Sequence, residues 1–183
     1  SLEEAIEDLR RKLEKLLKDY ADLSKEIEDK LRKIHEDSRR LVEKLEEEAR
    51  RILKEVRERG KDEERVKKEE RDIREELKKL EKTIEDSERE VEKEKRDSDE
   101  KLKRVEDDAR KLLEDLRRSG EGREEEVRKE IEDADKRVKD LKRELERDID
   151  ELRKRVEELR RRHEEKIKKV AEDVKRREDE ARK

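Results

Sequence analysis

The chain has 183 residues, of which 68% are charged, and its 60 basic and 64 acidic residues leave a formal net charge of −4. So polar a composition is typical of intrinsic disorder, unless the few apolar residues follow a regular pattern. The sequence contains no cysteine, which excludes a disulfide framework and thiolate chemistry. No apolar run approaches the roughly 18 residues that span a bilayer. We therefore expect a soluble protein that stays in the cytoplasm of an expression host.

Apolar residues in the first third of the chain recur with a period of about 3.6 residues, which is the period of an α-helix. The series, with one serine on it, is Leu2, Ile6, Leu9, Leu13, Leu16, Tyr20, Leu23, Ile27, Leu31, Ile34, Ser38, Leu41, Leu45, Ala49, Ile52 and Val56. A heptad period of 3.5 would impose a left-handed supercoil, whereas a period of 3.6 keeps the stripe straight. The pattern predicts one long amphipathic helix with nearly parallel, untwisted neighbours.

The three glycines of the sequence fall in two places where this stripe pauses. Gly60 follows arginines and precedes Asp62, an N-cap candidate with acidic residues after it. The second break has the same arrangement of arginines before it and glutamates after it. The predicted helices are therefore residues 2–59, 62–118 and 123–183, with loops at 60–61 and 119–122.

Short loops between helices of similar length make neighbouring helices antiparallel. The predicted fold class is therefore all-α, a long up-down-up antiparallel three-helix bundle or coiled coil that forms one domain over residues 1–183. The stripe resumes at Val127 in the third helix and continues to Val174. It is weakest in the second helix, where no aliphatic residue occurs between Val91 and Leu102.

Several polar side chains lie on or beside these apolar stripes, and a buried polar group requires a hydrogen-bond partner. Counted by distance along the chain from Gly60, one layer contains His35, Ser38, Thr83 and Ser87. A second layer contains Ser24 and Ser98, with Tyr20 one turn away and Asp148 as a looser candidate. Together with His163 these are the candidate core residues. We interpret the layers as structural networks that set helix register and pairing.

Both histidines are predicted to point inward, since the positions 18 residues from His35 are Leu17 and Leu53, and His163 passes the same test. His35 is either a core histidine bonded to a serine or threonine hydroxyl, or a ligand or pH switch. We favour the core histidine because a switch also requires a bistable element. The layers of the two histidines differ by about eight residues, on the order of 12 Å, which is too far for one metal ion.

Sequence motifs of catalysis and nucleic-acid binding are missing. The chain has no glycine-rich phosphate loop, nucleophile elbow or His-Glu-x-x-His motif, and its many exposed carboxylate pairs have no reason for a perturbed pKa. Glutamates surround the arginines at 160–162, which favours a solvated helix face over a nucleic-acid patch. We therefore predict no enzyme, no cofactor, no metal, no small-molecule ligand, and no nucleic-acid or membrane partner.

Over its whole length the chain resembles de novo designed, parametric helical bundles. The resemblance rests on the straight stripe, the glycine loops, the core polar residues and a restricted alphabet without Pro, Cys, Met, Trp, Phe, Asn or Gln. It implies no substrate, natural partner or native compartment. Natural spectrin repeats are also long three-helix units, but this chain lacks tryptophan and has only two breaks.

Three functional hypotheses follow from this organisation. The favoured one is a monomeric structural scaffold that requires no partner. The alternative is a self-assembly or helix-partner interaction component, because the first helix carries surplus apolar residues such as Leu17, Val42 and Leu53 beside its stripe. The third, a single extended charged helix, conflicts with the glycine breaks and the stripe.

Overall fold

The computed structural model describes residues 1–119 and 122–183, which form an all-α fold of three helices. They are α1 (Leu2–Glu58), α2 (Glu63–Ser119) and α3 (Glu124–Arg182). Within the described residues, no helix combines the length and the apolar character that a membrane crossing requires.

Contacts between the helices establish their directions. In the α1–α2 pairs Arg57–Glu70 and His35–Glu88, the residue number falls in α1 as it rises in α2, so these helices are antiparallel. Helices α1 and α3 are parallel, because the residue number rises in both along their contacts. Residues 12, 20 and 38 of α1 meet residues 135, 142 and 163 of α3. The helices therefore form the predicted up-down-up three-helix bundle.

Two helices have side-chain caps at their N-termini, and that of α2 is the predicted Asp62. The backbone N–H of Glu4 donates to the Ser1 hydroxyl at 3.4 Å, and the N–H of Glu64 donates to the Asp62 carboxylate at 3.1 Å. Gly60 closes α1 with a φ of 72°, a left-handed conformation that glycine adopts without strain.

Each observed helix end lies within one residue of the predicted position. Ser119, however, is the last residue of α2 and not the first residue of a loop. The predicted loop also includes Gly120 and Glu121, which lie outside the described residues.

The structure divides into two compact units, each with a segment of every helix. Unit 1 comprises Ser1–Glu28 and Glu92–Lys154, and unit 2 comprises Asp29–Val91 and Arg155–Lys183. That the chain forms a single domain stays a prediction.

A cluster of buried apolar residues lies in unit 1. Its members are Ile6, Leu9, Leu13, Ala109, Leu116, Val127, Ile131 and Ala134. The stretch of α2 just after residue 91 lacks aliphatic residues, and the half-buried side chains Lys95, Ser98 and Asp99 take their places. Lysine can occupy such a site because its four-carbon stem packs against apolar neighbours while the ammonium group stays near water.

Two of the clusters of buried apolar residues lie in unit 2. The larger contains Ala49, Ile52, Leu53, Val56, Val66, Ile73, Leu77, Val174 and Ala181. The smaller contains Val42, Leu80, Ile84 and Ile167. The partly buried side chains of Leu45 and Val170 pack against both clusters and connect them.

Candidate functional site

Four polar side chains from all three helices meet in unit 2. They are His35 and Ser38 of α1, Glu88 of α2 and His163 of α3, and we call them the histidine layer. His35 Nδ1 and Glu88 Oε2 share a hydrogen bond of 2.7 Å, and Ser38 Oγ and His163 Nδ1 share one of 3.1 Å. His163 Nδ1 also lies 3.9 Å from Glu88 Oε1. The carboxylate of Glu88 therefore lies close to both imidazoles.

The helical repeat places the buried members of this layer. Ser38, Glu88 and His163 are each four residues from a member of the smaller apolar cluster of unit 2, namely Val42, Ile84 and Ile167. Residues four apart lie on the same helix face, so the three polar side chains point into the same core.

Burial separates the two histidines, and it corrects one prediction. His163 is buried, with 1% of its surface exposed, whereas the His35 side chain is 45% exposed. The prediction that His35 points inward is wrong because Ile34 occupies the inward position and the next residue lies about 100° around the helix. From that position the His35 ring still reaches the buried carboxylate of Glu88.

The predicted separation of the two histidines into different layers is also wrong, since both lie against Glu88. The prediction counted residues symmetrically about each loop. The midpoint in sequence of the observed α2–α3 ion pair between Lys101 and Asp148 lies past the end of the second loop, and not at its centre. The two helices are therefore offset along their axes by more than the count allowed.

Thr83 and Ser87 do not join the histidine layer. The Thr83 hydroxyl donates to the carbonyl oxygen of Lys79 at 2.8 Å, and the Ser87 hydroxyl donates to the carbonyl oxygen of Thr83 at 2.9 Å. Such bonds to the preceding helical turn are a common way for serine and threonine to satisfy their hydroxyls. Sequence position alone does not distinguish them from bonds to a neighbouring helix.

A second polar group, which we call the aspartate layer, lies in unit 1 and contains Ser24, Lys95 and Asp99. The Ser24 hydroxyl donates to Asp99 Oδ1, and Lys95 Nζ donates to Asp99 Oδ2 at 2.7 Å. The predicted partner of Ser24 was Ser98, which is half-buried at the neighbouring position. Ser24 thus meets α2 within one residue of the predicted position. The group that accepts its hydrogen bond is the Asp99 carboxylate and not the Ser98 hydroxyl.

Tyr20 makes a separate contact between α1 and α3 of unit 1. Its hydroxyl donates to the backbone carbonyl oxygen of Lys142 at 3.1 Å. Burial, together with the negative charges of Glu146, Asp150 and Asp19, raises the pKa of Tyr20 to about 12. The looser candidate Asp148 instead accepts a hydrogen bond from Lys101 Nζ at 2.8 Å.

Burial sets the charge state of the His163 ring. Burial, with smaller effects from the charges of Lys166 and His35, lowers the pKa of His163 to about 4. The ring is therefore neutral near pH 7. Its Nε2 atom is buried and has no hydrogen-bond partner among the described residues.

The residues that sequence reasoning missed are Glu88, Lys95 and Asp99. Glu88 and Lys95 each follow a buried apolar residue by four positions, Ile84 and Val91 respectively. A charged residue in phase with the apolar stripe was therefore the signal that could have found them.

Ser38, His163 and Glu88 have the residue types of a hydrolase triad, but not its geometry. A triad places the nucleophile and the carboxylate on opposite nitrogens of the imidazole. Here both Ser38 and Glu88 face Nδ1 of His163. Ser38 is also only 5% exposed, so its hydroxyl offers a substrate little access.

One ion-pair cluster in unit 2 joins α2 to α3. Arg177 lies within 4 Å of the carboxylates of Glu69, Asp72 and Glu76. Next to it in sequence, Glu178 is buried, and this burial raises the pKa of its carboxyl. Both features belong to helix packing, because Arg177 joins two helices and Glu178 is buried.

Neither the arrangement of possible metal ligands nor the comparisons with known proteins identifies a function. Within residues 1–119 and 122–183, no three or more His, Cys, Asp or Glu side chains are arranged to hold a metal ion. No protein-family model, curated protein or solved structure matches the chain.

Proposed function

We propose that this chain is a de novo designed structural scaffold without natural biochemical activity, whose buried polar layers direct the pairing of its helices. The observation that supports this most is the direction of the polar contacts. Tyr20 joins α1 to α3, Ser24 joins α1 to α2, and the histidine layer joins all three helices. These hydrogen-bonding groups, some buried and some half-buried, thus serve helix pairing.

Polar layers suit this role because an apolar stripe by itself does not define helix register. A stripe of similar aliphatic side chains packs almost equally well after a shift of one helical turn. A shifted buried hydroxyl or imidazole loses its partner, at a cost of about 1–3 kcal/mol for each unsatisfied group. The layers therefore add specificity, while their net contribution to stability is modest.

A designed origin is supported by the regularity of the elements. The helices are 57, 57 and 59 residues long, and Gly60 and Gly122 adopt positive φ angles beside them. Such uninterrupted helices and glycine-containing loops are what idealised backbone design prescribes. We propose a monomer that needs no cofactor, metal, nucleic acid, membrane or partner.

The surroundings of the basic run at 160–162 agree with this proposal. Arg160 forms ion pairs with Glu157 and Glu164 on its own helix. These carboxylates reduce the positive potential that phosphate binding would require. The run therefore suits a solvated helix face.

A self-assembly or helix-partner interaction component is the second candidate, and one surface feature favours it. Leu41 is 42% exposed and lies on a groove between α1 and α3 of unit 2. The groove also contains the apolar residues Ile34, Val156 and Ile167. A second copy or a partner helix that covered this groove would bury the exposed leucine.

Light scattering coupled to size exclusion over a concentration series distinguishes the two candidates. The scaffold proposal predicts a constant mass near the 22.6 kDa of one chain. Leu41→Glu serves as the matched variant, because it places a charge in the groove at an exposed position. A mass that rises with concentration, and that Leu41→Glu returns to that of one chain, would replace the scaffold by the assembly component.

A further inference from the structure

Both histidines of the chain lie in unit 2, where they share one buried carboxylate. We propose that the histidine layer makes unit 2 selectively sensitive to acid, because protonation of His163 places a charge in a core that cannot accommodate it. Unit 1 contains no histidine and should not respond in the same pH range.

The first step of the argument is the geometry around His163. The side chain is 2% exposed, and its Nδ1 atom shares a hydrogen bond with the Ser38 hydroxyl. The buried Nε2 atom has no hydrogen-bond partner among the described residues. A protonated ring carries an N–H donor on both nitrogens, so acid would create a buried cation with an unsatisfied donor.

The second step is the set of charged groups that face this ring from each helix. His35 approaches from α1, Glu88 approaches from α2, and Lys166 lies on α3 itself. His35 and Lys166 disfavour a further positive charge. Glu88 would favour it, but its carboxylate is 2.7 Å from His35 and 3.9 Å from His163, so the closer contact is to the exposed histidine. The 3.9 Å contact between Glu88 Oε1 and His163 Nδ1 is too long for a hydrogen bond that would hold the protonated ring.

The direction of the pH effect follows from linkage. Burial lowers the pKa of His163 to about 4 from its ordinary value of 6.5, so the unfolded chain binds a proton at a higher pH than the folded chain does. The stabilising contribution is fully present above pH 6.5 and is lost as the pH falls towards 4. These values predict a rise of about tenfold in the opening constant of unit 2 between pH 7.5 and 5.5.

Two other carboxyls of unit 2 act in the opposite direction. Burial raises the pKa of Glu178 and of Glu81. A raised pKa stabilises the folded state as the pH falls, so these groups would diminish the effect of His163 and would not imitate it.

Hydrogen exchange of the full chain, read by mass spectrometry and corrected for intrinsic rates, tests the proposal. Amides of unit 2 should lose about tenfold in protection from pH 7.5 to 5.5, and those of unit 1 should change less than about twofold. His163→Leu should abolish the loss in unit 2. Tyr20→Phe removes a buried polar contact from unit 1 and should leave the loss in unit 2 intact.

The proposal is overturned if unit 2 shows no loss, if unit 1 loses as much, or if the loss persists in His163→Leu. Should that variant fail to fold, ¹⁵N NMR titration of the imidazoles in the unaltered protein decides the question. A His163 pKa below about 5.5 supports the proposal, and titration of His163 near 6.5 overturns it.

Discussion

Unit 1 and unit 2 contain segments of the same three helices, yet they bury different polar groups. Unit 1 uses the Tyr20 hydroxyl and the aspartate layer, whereas unit 2 uses the histidine layer. Imidazole has its ordinary pKa near neutrality and a phenol has its own near 10. We therefore expect the two units to respond to pH in opposite directions.

The largest expected effect comes from apolar truncation, which tests whether the two units respond separately. Leu116 of unit 1 and Leu77 of unit 2 are both buried in apolar clusters. Leu116→Ala and Leu77→Ala should each reduce the free energy of unfolding by about 2–5 kcal/mol. Urea denaturation measures this reduction, and hydrogen exchange should locate the greater loss of protection in the altered unit. Equal losses in both units would show that the division has no energetic counterpart.

A smaller loss is expected when the partner of His163 is removed. Ser38→Ala removes the hydroxyl that bonds Nδ1 of His163, whose Nε2 atom already has no hydrogen-bond partner among the described residues. The variant should therefore reduce the free energy of unfolding by about 1–3 kcal/mol. The control is Ser87→Ala, because that hydroxyl bonds to a carbonyl of its own helix. The control should change stability by less than about 0.5 kcal/mol. If thermal denaturation gives equal losses of stability for the two variants, the bond between Ser38 and His163 stabilises the fold no more than a bond within one helix does.

Unit 1 should be sensitive to alkali, in contrast to the acid sensitivity proposed for unit 2. The folded pKa of Tyr20, about 12, exceeds the ordinary value of 10, so its contribution is present below pH 10 and is lost as the pH rises towards 12. Tyr20→Phe should cost about 1 kcal/mol at pH 7, and the difference from the unaltered chain should shrink by pH 11. Urea denaturation of both proteins at the two pH values checks this. A difference that is independent of pH would contradict it.

The smallest effects are expected where the two units use the same chemistry. Arg177 in unit 2 and Lys101 in unit 1 each join α2 to α3 through several carboxylates at partly exposed sites. Arg177→Gln and Lys101→Gln should each cost about 0.5–1 kcal/mol, and 1 M salt should reduce the cost. A cost that salt leaves unchanged would mean that packing of the side-chain stems dominates over charge.

The sequence predicted the three helices because their signals are local and repeated many times. The period of the apolar stripe, the arginines before Gly60 and the acidic residues after it all reflect backbone geometry within a few turns. The fold class and the helix ends follow from those signals. The aspartate layer was found at nearly the right height because Ser24 is reached by counting across one short loop.

The histidine layer was harder to predict because it depends on two quantities that are not local. The axial offset between α2 and α3 decides that Glu88 meets His163, and counting across a second loop does not supply it. The choice between a bond within one helix and a bond between helices decides the roles of Ser38 and Ser87. That choice depends on which side chain faces the hydroxyl in space.

Methyl NMR of the labelled chain during urea denaturation at pH 5.5, 7.5 and 10.5 tests the contrast between the units most directly. Leu116 reports on unit 1 and Val174 on unit 2, since each is 1% exposed. At pH 5.5 the Val174 signal should be lost at a lower urea concentration than at pH 7.5. At pH 10.5 the Leu116 signal should be lost at a lower urea concentration than at pH 7.5. Identical shifts of both signals at both extremes would contradict the account.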